Sequence, residues 1–283
     1  MRRFVIGDIH GCSKALRTIL EEIAPQSEDL LVFLGDFIDR GPDSRGVIDL
    51  MISTAQQTRV IGLRGNHEVM LLGVVCGGCD PHLWLQSGGA ATVASYGGSI
   101  EKIPPRHLEF FRSLHAHYET AHELFIHAGY DPDVPANQIA DADRYWNHLT
   151  GLPQPHCSGK RVFVGHTPQA SGKILDYGHL VCLDTYCFGG GWLTALNLDT
   201  DEVIQANRHG HLRRDFATSF AKWLRCWFRA ASGTQGQMDR RALSLGTPPD
   251  FSALPGRRDG LAEGGWEASG LAEGGCAEGG WAS

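Results

Sequence analysis

Three apolar runs in the first third of the chain each stop at a glycine followed by a polar cluster, and helical periodicity fills the gaps between them. The first, "RRFVIGD", is β-branched and aromatic. The segment "CSKALRTILEEIA" then sets Leu16, Ile19, Leu20 and Ile23 on one helical face. The second run, "LLVFLGD", is continuously apolar, as suits a strand buried on both faces. "SRGVIDLMISTAQQ" reads as a helix and "RVIGLRGN" as the third strand. Strand–helix–strand–helix–strand order predicts a parallel sheet with helical crossovers. Later strands are expected at "LFIHAG", "RVFVGHT" and "LVCLDT", with a hairpin around the Asp199–Asp201 turn of "GWLTALNLDTDEVIQA". This strand-rich second half predicts a second sheet packed on the first. The expected fold class is α/β, a layered β-sandwich flanked by helices.

The polar clusters are of one kind. The first strand ends in Asp8 and His10, the second in Asp36, Asp39 and Arg40, the third in Asn66, His67 and Glu68; two later strands end in His127 and His166. Carboxyl ends of parallel strands share one edge, where ligands bind. Gly7, Gly35, Gly65 and Gly165 each precede a candidate ligand, where the backbone must turn sharply. One such Asp or His beside a glycine is an ordinary turn residue, but five at strand ends form a site. Carboxylate, imidazole and amide oxygen without thiolate suit Mn²⁺, Fe or Zn²⁺ in a catalytic role. Six ligand side chains are more than one ion needs. Two ions sharing a bridging carboxylate, typically about 3.5–4 Å apart, would use them all.

Composition narrows the class. A formal net charge of −7 gives no sign of a nucleic-acid surface. No apolar run approaches the roughly 18 residues of a membrane span. Asp8 interrupts the N-terminal apolar stretch, which argues against a secretory leader. The eight cysteines are dispersed, which suits reduced thiols in a cytoplasm. The close pair Cys76 and Cys79 reads as a loop with two free thiols. Residues 1–207 form the expected catalytic domain. Residues 208–231 form an expected basic amphipathic helix. Leu212, Phe216, Phe220, Trp223, Leu224, Trp227 and Phe228 make its stripe, opposite Arg213, Arg214, Lys222, Arg225 and Arg229. Residues 212–231 could touch a membrane surface, or pack on the chain's own domain. Residues 232–283 are a Gly-rich tail in which "GLAEGGWEAS" is echoed by "GLAEGGCAEGGWAS", a composition expected to be disordered.

The order GDxHG, GDxxDRG, GNHE, HAG, GHT resembles the phosphoprotein phosphatases of the calcineurin-like metallophosphoesterase superfamily. The resemblance spans about residues 4–207, and the segments at 84–98 and 171–196 look like the bacterial branch. It implies that Asp8 and His10 bind one metal, that Asp36 bridges, and that Asn66, His127 and His166 complete the second. Two divalent ions, Mn²⁺ first and Fe or Zn²⁺ as alternatives, would generate a bridging hydroxide for in-line attack on phosphorus. His67 would act as general acid, oriented by Asp39, while Arg40 and Asn66 bind phosphate oxygens. The family supplies another phosphate-binding arginine after HAG. Here "DADRYWNHL" offers Arg144, with Arg161 as the remaining alternative, and Glu68 is expected to order its turn. The implied activity is a serine/threonine protein phosphatase acting on a phosphorylated protein. Alternatives are a symmetrical diadenosine tetraphosphate hydrolase, a small-molecule phosphoesterase or, more remotely, a non-catalytic binding protein on the same fold.

Overall fold

The structure, a computed structural model, describes residues 1–213. Among these, the strands are β1 (Arg3–Ile6), β2 (Leu30–Phe33), β3 (Arg59–Gly62), β4 (His117–Glu119), β5 (Glu123–Ile126), β6 (Arg161–Val164), β7 (Leu175–Asp176), β8 (Leu180–Cys182), β9 (Trp192–Asn197) and β10 (Val203–Asn207). The helices are α1 (Ser13–Ile23), α2 (Ser44–Ala55), α3 (Asn66–Val75), α4 (Pro81–Trp84), α5 (Ala90–Ser95), α6 (Pro105–Ser113) and α7 (Asp141–Tyr145).

The strands make two five-stranded sheets, ordered β10-β9-β1-β2-β3 and β4-β5-β6-β8-β7. In the first, β1, β2 and β3 are parallel, with Val5 opposite Val32 and Val32 opposite Ile61. In the second, β5, β6 and β8 are parallel. Pleating sends alternate residues of each strand to opposite faces. Phe4 and Ile6 of β1, with Leu31 and Phe33 of β2, pack among Leu16, Ile19 and Met51 of the helices. Val5 and Val32 point the other way, into a shared core with Phe125, Phe163 and Val181 of the second sheet. The Phe125 and Phe163 rings stack there at 5.3 Å. The outer face of the second sheet packs Leu124, Ile126 and Val164 against Ile139. Strands buried on both faces explain the continuous apolar runs.

Helix α1 buries Ala15, Leu16, Ile19 and Ile23, the expected face, and stops at Ala24 in the left-handed conformation. Helix α2 starts where the Asp43 carboxylate accepts the Gly46 N–H at 2.9 Å. The hairpin of β9 and β10 forms as expected. Strands β4 and β7 escape the sequence, being three and two residues long without an apolar alternation. Cys76 and Cys79 are exposed free thiols. No helix among the described residues is long and apolar enough to cross a membrane.

The start of the expected basic helix is corrected. Residues 208–210 turn, Leu212 bridges Ala206 antiparallel to β10, and the Arg213 N–H donates to the Gln205 carbonyl at 2.8 Å. Unfilled hydrogen-bonding positions along β10 capture this segment, so residues 208–213 are not helical. The rest of 208–231 and the tail at 232–283 lie outside the described residues.

The turn after β3 passes so close to the turn after β2 that a Cβ on Gly65 would collide with the Asp36 carboxylate and backbone nitrogen. Gly65→Ala should therefore destabilise the protein by about 1–3 kcal/mol through overpacking. It should also weaken Mn²⁺ binding. Urea unfolding and calorimetric metal titration would check the two effects.

Candidate metal centre

Each parallel strand delivers its polar cluster within a few residues of its carboxyl end. The turns that do so are strained. His10, Asp36, Asp39, Arg40 and His166 all have positive φ, between 45° and 71°. Such conformations cost non-glycine residues on the order of 1–3 kcal/mol each and concentrate at functional sites. All of the expected ligands except His166 are buried.

Asp36 is the hub. The ligand atoms of His10, Asp36 and His67 lie within 4.8 Å of one another, and so do those of Asp36, His127 and His166. The Asp36 Oδ2 is 3.4 Å from His10 Nε2, and Oδ1 is 3.4 Å from His127 Nε2. Asp8 adds an oxygen, Oδ1, that is buried without a partner, while its Oδ2 accepts the His166 N–H at 3.0 Å.

Three imidazoles are aimed by backbone carbonyls. His10 Nδ1 lies 2.9 Å from the Ile38 oxygen, His127 Nδ1 2.8 Å from Leu34, and His166 Nε2 2.9 Å from Trp146. A carbonyl only accepts, so these nitrogens carry the protons. The lone pairs of His10 Nε2, His127 Nε2 and His166 Nδ1 are left facing the cluster. Donation of the distal N–H to a carbonyl is the usual outer shell of a metal-bound histidine. Burial lowers all three, His10 to about 3 and His166 to about 4, which keeps them neutral.

His67 is set apart. Its Nδ1 meets Asp39 Oδ2 at 2.6 Å, while Nε2 is buried without a partner, 3.9 Å from Asp36 Oδ2. Burial lowers its pKa, but Asp36 and Asp39 more than offset that, and the net shift is upward. His67 thus shifts in the opposite direction to the other three imidazoles. Asp39 is itself fixed by the Trp84 Nε1–H at 2.8 Å and the Thr92 hydroxyl at 2.6 Å.

Glu68 orders the turns, as expected. Its carboxylate accepts from the N–H groups of Gly65 (2.9 Å), Asp36 (3.0 Å) and Phe37 (2.9 Å). Arg40 is exposed, with Nη1 3.1 Å from His10 Nε2 and its guanidinium 4.8 Å above the Phe188 ring.

Neither second arginine reaches the cluster by any contact described. The Arg144 Nη2 donates to the Ala136 and Ile139 carbonyls at 3.2 and 2.7 Å, capping the loop before α7. Arg161 begins β6, at the opposite end of that strand from His166, and pairs with Asp176 at 3.0 Å. Four contributors were missed. Asp184, just past β8, is buried with Oδ2 unpartnered and is raised to about 6, by burial first and Asp36 next. It follows the same strand-end rule as the others and was legible in "LVCLDT". Trp84, Thr92 and Phe188 carry no such signal, because only the fold brings them to Asp39, His10 and Arg40.

These residues fit a pair of divalent cations. Asp8, Asp36 and Asp184 put three buried carboxylates together without enough donors. The amide oxygen of Asn66 lies 3.2 Å from both Asp36 oxygens and from the acceptor nitrogens of His127 and His166. An oxygen facing only acceptors is favourable when a cation sits among them. The calcineurin-like phosphoesterase model matches residues 1–200. The chain belongs to that family.

The chain is 31% identical over 229 residues to the asymmetrical bis(5'-nucleosyl)-tetraphosphatase of Anoxybacillus flavithermus, covering 71% of this chain and 91% of the relative. It is 32% identical over 205 residues to serine/threonine-protein phosphatase 1 of Salmonella typhimurium, covering 68% and 89%. It is 31% identical over 280 residues to the symmetrical bis(5'-nucleosyl)-tetraphosphatase of a Janthinobacterium species, covering 75% and 98%. As in other calcineurin-like phosphoesterases, the chemistry is phosphoester hydrolysis.

His67 Nε2 clusters with His10 and Asp36 but lies farther from Asp36 Oδ2 than His10 Nε2 does, 3.9 Å against 3.4 Å, so its part as ligand or proton donor is open to test. His67→Asn should keep the metal stoichiometry of the native protein, counted by elemental analysis, and lose about 10²–10⁴-fold in turnover of substrates with poor leaving groups. Loss of a metal ion instead would make His67 a ligand.

Proposed function

We propose that this phosphoesterase hydrolyses bis(5'-nucleosyl) tetraphosphates. The observation that carries the hydrolytic part is the buried ligand atoms gathered on both sides of Asp36, with His67 Nε2 unpartnered 3.9 Å from its Oδ2. The nucleotide substrate is favoured by the two tetraphosphatase relatives, each covered over nine-tenths or more of its length. In this reading Asp8, His10 and Asp36 would hold one cation, and Asp36, Asn66, His127 and His166 would hold the other. Mn²⁺ suits the oxygen-and-imidazole donor set. A bound pair of such cations supplies a strong nucleophile at neutral pH and charge for the phosphoryl oxygens.

The chain's own side chains do the rest. Arg40, its guanidinium carbon 4.8 Å from the Phe188 ring centre, presents its planar donor fork to the phosphoryl oxygens. His67 passes a proton from Nε2 to the departing oxygen, and Asp39 fixes the ring and stabilises its cationic form. Trp84 and Thr92 hold the Asp39 carboxylate still.

A second reading, a serine/threonine protein phosphatase, is favoured by the 32% identity to phosphatase 1. Initial rates with Mn²⁺ on diadenosine tetraphosphate, a phosphoserine peptide, a phosphotyrosine peptide and p-nitrophenyl phosphate would decide. The expected outcome is the highest kcat/KM on the dinucleotide. A higher value on the phosphoserine peptide would transfer the assignment to the second reading.

A further inference from the structure

A cleft of about 440 Å³ opens beside the metal centre, between the loop after β5 and the segment after α7. Its volume is within the roughly 300–1,000 Å³ of small-ligand sites. Gly129 lines it two residues after His127, and so does His148. The His148 ring stacks on the His166 ring at 4.5 Å and 19°. The preceding Trp146 supplies the carbonyl that aims His166. One wall of the cleft is therefore the outer side of the centre.

The lining has a definite chemistry. Tyr130 and His148 offer aromatic faces, Leu149 and Pro153 apolar surface, and Asn147 and Gln154 amide groups. Asn147 is pre-set, its amide donating to Asp143 at 2.8 Å. No lysine or arginine lines the space, and Asp143 does, so the cleft suits an uncharged planar group and repels phosphate. Exposed apolar side chains stand beside the lining residues in sequence or contact. Trp146 is 42% exposed, Leu152 62% and Tyr177 37%, and the Tyr177 hydroxyl donates to the Gly151 carbonyl.

We propose that this cleft holds one nucleoside of the substrate while its phosphate chain lies on the metal centre. The proposal rests on the dinucleotide reading above. The base stacks on Tyr130 and His148, Asn147 and Gln154 address its polar edge, and Asp143 accepts from an amino or ribose hydroxyl group. A phosphopeptide would bring charge or bulk that these groups do not select.

Thr150 and Gln154 line the cleft from exposed positions, so Thr150→Trp and Gln154→Trp would fill it without disturbing the core. In each, the ratio of kcat/KM on diadenosine tetraphosphate to that on p-nitrophenyl phosphate should fall about ten-fold or more, as loss of base stacking requires. A ratio within about two-fold of the native value in both variants would overturn the proposal. Binding of adenosine alone, read by saturation-transfer NMR on the Mn²⁺-free protein, separates the cleft from the substrate assignment. Adenosine contacts seen in the native chain and lost in both variants support the cleft even if the dinucleotide is a poor substrate. No adenosine contacts in the native chain would reject it even if the dinucleotide is a good one.

Discussion

The Asp36 carboxylate is the point on which the remaining site geometry hangs. It is buried, and three imidazole nitrogens converge on it, His10 Nε2 and His127 Nε2 at 3.4 Å and His67 Nε2 at 3.9 Å. Its backbone is pinned from both sides. The Asp36 carbonyl accepts the N–H groups of Ile9 and His10, and its own N–H donates to Glu68. These bonds tie the turns after β1, β2 and β3 to one residue in a left-handed conformation. A buried anion at such a junction is tolerable where cations offset it. The two-sheet core around Val5, Val32, Phe125 and Phe163 supplies the rigidity that holds the arrangement together.

Most of this framework was legible in the sequence, because strand ends leave a local signature. Asp8, His10, Asp36, Asn66, His127 and His166 each follow an apolar run, and parallel topology carries them to one edge. Roles that depend on side-chain direction were reached only through the family resemblance, which put Asn66 with His127 and His67 with Asp39. Nothing in "GNHE" says that the Asn66 amide turns to His127 while His67 turns to Asp39. Arg144 shows the same limit, since a basic residue at a plausible spacing found backbone carbonyls nearer than any phosphate site. Trp84 reaches Asp39 across a separation of 45 residues, which no local pattern encodes.

Chemistry and selectivity occupy different parts of the chain. The hydrolytic groups sit on strand ends and turns locked by the sandwich, whereas the cleft is made by the loop after β5 and the segment after α7. A fold of this kind can change what it accepts without changing how it cleaves. The relatives fit that division, since tetraphosphatases and a protein phosphatase lie at similar identity to this one chain.

The carbonyls that aim His10, His127 and His166 belong to Ile38, Leu34 and Trp146. A main-chain oxygen is present whatever the side chain, so replacements at these three positions that keep the backbone path keep this layer of the centre.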